Sequence, residues 1–213
     1  MSDNKTYRII SIIALVLSAI GITLGYAAFS NTLTIVSSAE VNPSSAAFNV
    51  DFSSSSSSVE TNSIAPTLNT TATGFSATSA TINNATDPVI SNLKATFTEP
   101  GQSATYTFYA YNAGEYIAYL NSIVFSGNKT CTAKTGTTQA LVNTACNGIS
   151  LSIKVGSESP TTTSIASISG HSLAKTASEE IVVVIEYAAG SGLADGDFDV
   201  TFPDIVLTYD SVD

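Results

Sequence analysis

The chain opens with a polar head, Met1 to Arg8, and then runs from Ile9 to Phe29 without a charged residue. Only Ser11, Ser18, Thr23 and Tyr26 interrupt the apolar character of that run. As a helix its 21 residues would span about 31 Å, the thickness of a bilayer's hydrocarbon core. A segment uncharged on every face predicts one hydrophobic N-terminal helix, not an amphipathic core helix.

Beyond Phe29 no window holds a helical period, and alternation takes over. Thr105 to Tyr111 sets Tyr106, Phe108 and Ala110 on one face against Thr105, Thr107 and Tyr109. Ile117 to Phe125 follows after the turn residues Asn112-Ala113-Gly114. Ile149, Leu151, Ile153 and Val155 alternate, and so do Ile181, Val183, Ile185 and Tyr187. Phe198, Val200 and Phe202 share a face, but after Pro203 the apolar set becomes Ile205, Leu207 and Tyr209. That slip in parity predicts a bulge or strand break at Pro203-Asp204. Gly74 to Ile82 and Val89 to Phe97 read as further strands. Around eight to ten short strands with Gly, Pro and Asn turns predict an all-β, antiparallel β-sandwich of jelly-roll or immunoglobulin-like type.

The expected division is a signal peptide or membrane anchor over 1–29 and a single exported domain over 30–213. Within the latter, six consecutive serines, Ser53 to Ser58, open a Ser/Thr-rich stretch at about 53–73 that reads as a flexible loop. A short β-like piece stands before it, with Leu33 and Ile35, then Phe48, Val50 and Phe52. These five residues are candidates for a strand donated to a neighbour's sheet edge.

Lys5 and Arg8 place the head on the cytoplasmic side and send the rest across the membrane. Two fates stay open for the apolar run. Small residues at Ala27 and Ala28 offer signal cleavage, with Ser37-Ser38-Ala39 as a later option. The length of the run, above a typical signal core, favours a retained anchor.

Charge narrows the function classes. The whole chain carries 7 Lys plus Arg against 17 Asp plus Glu, a net −10. After Arg8 there are 16 acidic groups against 5 Lys, a net −11. Such a surface argues against nucleic-acid partners, which need clustered Lys and Arg. One His and two Cys leave little for His- or Cys-based catalysis, so no catalytic residue, cofactor or metal is expected. Cys131 and Cys146 enclose fourteen residues and, in an oxidising compartment, are expected to form a disulfide.

The other candidates read more plainly as structure. Asp195, Asp197 and Asp199 resemble the start of a calcium loop, but Val200 and Val206 stand where an EF-hand needs Gly and Glu. A polar turn entering the last strands is the preferred reading. His171, alone in Ser169-Gly170-His171-Ser172, reads as a surface loop residue. Tyr106, Tyr109, Tyr111, Tyr116 and Tyr119 would make an aromatic binding face, or simply an aromatic hairpin, which strand propensity favours. Asn69, Asn84 and Asn128 begin N-x-S/T sequons, relevant only in a host that glycosylates.

The order of a basic head, an apolar run ending GYAAFSNTLTI, a strand-like FNVDF, then TEPGQSATYTFYAYNAGEYIAYLNSIVF and a closing DGDFDVTFPDIVLTY resembles the TasA/camelysin family of exported bacterial proteins. The resemblance covers the head, the middle and the tail. It implies a jelly roll, a dedicated long signal peptide and a structural role in biofilm-matrix fibres, with protease activity in camelysin-type members. The chain departs from a protease in having no H-E-x-x-H. Its two cysteines depart from the fibre-forming members. The expected function is an exported surface protein acting by self-assembly. The alternatives are a membrane-anchored extracellular binding module and a pilin-like subunit, the latter weakened by the lack of Gly before the apolar run and of Glu near its start.

Overall fold

The computed structural model describes residues 48–56, 61–84, 88–168 and 170–211. The chain divides into two compact units, Met1–Asn42 and Pro43–Asp213. The first lies outside the described residues, and with it the expected apolar helix, Ala27, Ala28, Leu33 and Ile35. The second carries an antiparallel β fold.

Its first sheet runs β1 (Val50–Ser53), β8 (Ser103–Asn112), β13 (Ser178–Tyr187) and β11 (Ile149–Val155), with β3 (Thr67–Leu68) also paired to β8. The second runs β10 (Thr130–Ala133), β14 (Phe198–Thr201), β7 (Lys94–Phe97) and β4 (Ser76–Ala77). The third runs β12 (Ser172–Leu173), β9 (Ala118–Phe125), β15 (Ile205–Ser211), β6 (Val89–Ser91), β5 (Ala80–Asn83) and β2 (Ser63–Ile64). All their pairings are antiparallel.

The second and third sheets meet along a crease. Four passages of chain cross it, from β4 to β5, β6 to β7, β9 to β10 and β14 to β15. Asn92 takes a left-handed φ of 58° there and donates from its side chain to Ser79 O at 3.1 Å. Pro203 has no N–H for a ladder. The Phe202 N–H reaches Leu93 O at 2.9 Å, so the breaks stand level with one another. The slip in parity at Pro203 is therefore a strand break at which the chain changes sheet.

Alternation fills the core as predicted. Ala104, Tyr106, Phe108 and Ala110 are buried from β8, and Ile181, Val183, Ile185 and Tyr187 from β13. Tyr187 meets Phe97 and Phe198 edge-on, both at 5.7 Å, joining the first and second sheets. Buried residues of all three sheets form one apolar cluster.

Three expectations need correction. A helix, α1 (Gln139–Cys146), lies between the two cysteines and buries Val142 and Ala145. Eight residues with only two buried positions are too short to display a period. The stretch at 53–73 is not one loose loop: Ser53 is fully buried in β1, and β2 and β3 fall within it. Val50 and Phe52 stand in the chain's own first sheet, paired to Asn112 and Ala110, with Phe52 packed on Phe108 at 5.1 Å. Phe48 packs beside them against the core. The segment 48–52 thus belongs to the main body, because its apolar side chains fill a place in the core beside β8.

Candidate functional site

β9 of the third sheet and β11 of the first are not paired with each other. The loop after β11 spans the opening between them. It makes one bridge to each: Thr161 to Ile153 on β11, and Ile165 to Ile123 on β9. Under this strap lies a cavity of about 230 Å³. Leu120, Ile123, Ile153, Val155, Ile165 and Ile168 give it aliphatic walls, while Ser159, Thr161 and Ser167 are polar.

His171 and Glu158 also line it. His171 precedes β12, which pairs with the start of β9, and its carbonyl accepts from the Leu120 N–H at 3.1 Å. The residue is 8% exposed, so the surface-loop reading of His171 is corrected. Nδ1 lies 2.8 Å from Glu179 Oε1, and Nε2 lies 3.3 Å from Glu158 Oε1. The carboxylates approach opposite edges of the ring. Glu179 is largely buried and Glu158 is exposed. Gly156 makes room for the first: an added Cβ would stand 2.2 Å from Glu179 Oε1, at a φ of +55°.

Behind the ring, Glu179 Oε2 and the Tyr209 hydroxyl are buried without hydrogen-bond partners. Burial, and then the charge of Glu179, push the Tyr209 hydroxyl far above its ordinary pKa. The bulge in β9 is close by. Its register with β15 shifts between Thr208 and Tyr209, and the Asn121 carbonyl turns to accept from Ile168 in the strap at 2.7 Å.

Nothing in the sequence motifs marks Glu158, Glu179 and Tyr209 as partners of His171. One signal does exist. Glu179 and Tyr209 occupy inward positions in their strands, in step with Ile181 and Leu207. A polar group at a core position needs a partner or a purpose.

The other candidates are dispersed. Asp195 accepts from the Thr138 hydroxyl at 2.6 Å and the Thr138 N–H at 2.8 Å, at the start of α1. These two hydrogen bonds hold its carboxyl below the usual range. Asp199 accepts from the Thr96 hydroxyl at 2.7 Å and pairs with Lys134 at 3.5 Å. The Asp197 carbonyl accepts from Lys134 N–H and the Thr137 hydroxyl. The Asp195 and Asp199 carboxylates therefore serve separate partners. Among the described residues no three His, Cys, Asp or Glu are placed to share a metal ion. Tyr106 is buried, Tyr109 and Tyr111 lie on the outer face of β8, and Tyr119 lies on β9 in another sheet. The tyrosines do not make one surface. Cys131 and Cys146 are joined in a disulfide.

A second groove, of about 240 Å³, runs beside the outer edge of β11. Phe125, Ile149, Leu151, Phe202 and Pro203 line it, with Asn128, Lys129 and Thr162. Along that edge Lys129 Nζ donates to Ile149 O, and Ile153 exchanges both backbone bonds with Thr161 at 2.9 Å. Because antiparallel ladders alternate, the N–H and C=O of Leu151 point the same way as those of Ile153, into the groove. Among the described residues they have no strand neighbour.

No protein-family model matches this chain, and neither does any curated protein or solved structure. Among the described residues no helix is long and apolar enough to cross a membrane.

Proposed function

We propose that this chain is an exported surface protein that acts by self-assembly, not by catalysis. One observation carries the reading: the open edge of β11 at Leu151, set in a groove with both apolar and polar walls. An extended segment laid there would pair with the N–H and C=O of Leu151 and set its side chains against the groove. The sequence offers such a segment in Leu33 to Val36, upstream of β1, with apolar Leu33 and Ile35. Pairing it with a second copy's β11 would join subunits head to tail. The Cys131–Cys146 disulfide supports an oxidising compartment, and the Ile9–Phe29 run supplies the route to it. The resemblance to the TasA/camelysin family, with its jelly roll and matrix fibres, belongs to the same proposal. So do the jelly-roll or immunoglobulin-like assignment and the N-terminal helix.

The test is deletion of residues 31–37, leaving β1 in place. Deleting 31–52 would remove β1 and confound assembly with folding. Filaments seen by negative-stain electron microscopy in the parent and absent from the variant, at unchanged melting temperature, are the expected result. Filaments that persist overturn the reading.

The His171 cavity favours a second reading, a membrane-anchored extracellular binding module. Membrane fractionation separates the two: an intact Met1 in the membrane fraction supports the module, and a start near Ala28 in the matrix supports the assembling subunit.

A further inference from the structure

We infer that the β11 edge takes its partner strand across Ile149 and Leu151 together, and that the Lys129 side chain is the guard this strand must displace. The inference rests on the assembly reading and names what regulates that site.

The main-chain groups along the edge carry it. β11 pairs with β13 on one side. On the other, Ile149, Leu151 and Ile153 turn their N–H and C=O groups the same way. Ile153 is taken by Thr161 through two backbone bonds of 2.9 Å. The Ile149 carbonyl is taken by Lys129 Nζ. Leu151 is left open between these two covers. The shortest paired strands described in this fold, β2, β3, β4 and β12, each hold two residues. One open residue falls short of that, so an incoming strand needs a flanking position as well.

The two covers differ in strength. Thr161 belongs to the strap, whose Ile165 makes two further backbone bonds to Ile123, at 2.8 and 3.0 Å. Moving the strap aside breaks both pairs. Lys129 offers a single donor on a flexible four-carbon stem. An N–H of the incoming strand replaces that donor on the same carbonyl, so the exchange costs little. The ammonium also regains water. Lys129 is half-buried and burial lowers its pKa, a desolvation that release relieves. The edge of β10 is closed more firmly, by a donor and an acceptor of Gln139 and by the disulfide.

The occupant is Leu33 to Val36 of a second copy. Val36 stands 14 residues before Val50, the start of β1. Extended, that length reaches at most about 50 Å, enough to enter a neighbouring subunit's groove. Leu33 and Ile35 point to one side of such a strand and would lie against Phe125, Phe202 and Pro203.

The experiment measures the critical concentration for filaments of the exported chain, by light scattering and negative-stain electron microscopy. Lys129→Met keeps the hydrocarbon stem and removes the donor. It should lower the critical concentration about tenfold, the net worth of one hydrogen bond, at an unchanged melting temperature. Lys129→Arg keeps a donor and should stay near the parent. Residue-resolved amide exchange gives a second reading on the parent alone: the Leu151 amide should slow in filaments, and the Ile153 amide, already paired, should not change. Equal critical concentrations for Lys129→Met and the parent, or Lys129→Arg matching Lys129→Met, overturn the guard. The assembly reading then still stands if filaments need residues 31–37. Filaments that form without 31–37, or a Leu151 amide that keeps its monomer rate within them, overturn that reading and this inference with it.

Discussion

Asn112 shows how much one buried side chain can organise. Its amide donates to the Tyr116 and Leu173 carbonyls, both at 2.7 Å, and its oxygen accepts from the Gly114 N–H at 2.9 Å. It thereby joins the end of β8, the turn into β9 and the strand β12 that follows His171. Asn112→Ala should cost about 2–4 kcal/mol in urea unfolding, because three backbone groups lose their partner at once. Tyr106 is the titratable counterpart. It is fully buried, its hydroxyl donates to Thr78 O at 2.9 Å, and burial lifts its pKa from 10.0 to about 12. The folded chain thus holds this proton more tightly than the unfolded chain. Its contribution is complete below pH 10 and is lost as the pH rises toward about 12, on the order of 2 kcal/mol. Burial raises Tyr187 and Tyr209 as well, so the three act in the same direction. Melting temperature should fall steeply above pH 10, and Tyr106→Phe should flatten that fall. At this scale the sequence was partly legible: Asn112 was readable as a turn residue, but its reach to Leu173 was not, because 61 residues separate them.

Among the elements, α1 governs one sheet edge. Gln139 at its start donates to Cys131 O at 3.0 Å and accepts from the Ala133 N–H at 2.8 Å, standing in for the peptide of a missing strand beside β10. The disulfide ties the other end of the helix to the same strand. An edge left open is a template for pairing with another chain, and here a side-chain amide and a covalent bond close it. Reducing the disulfide should lower stability by about 3 kcal/mol in the chain-entropy model. It should also speed amide exchange at Cys131 and Ala133, read by mass spectrometry with and without reductant. Gln139→Ala should speed the same amides with the disulfide intact, and exchange in β13 should stay slow in both cases. The long strands announced themselves: β8, β11 and β13 each alternate through seven or more residues. The helix and the two-residue strands did not, since neither completes enough of a period to stand out from a loop.

At the scale of the molecule, a single groove beside β11 bears on assembly. Thr162 and Asn128 are exposed at that groove. Thr162→Lys combined with Asn128→Lys should suppress filaments in electron micrographs without lowering the melting temperature, because charges at an open edge oppose pairing. By itself the sequence determined the antiparallel β character, the faces of the long strands, the break at Pro203 and the pairing of the two cysteines. Each depends on alternation, on proline's missing N–H, or on which residue types can bond, and these are properties of neighbours along the chain. Only the tertiary structure decided that β1 belongs to the first sheet, that α1 caps β10, and that Glu158 and Glu179 meet His171 beside a cavity. Those contacts depend on which distant strands become neighbours once one core is buried, and no local pattern of residues records that choice.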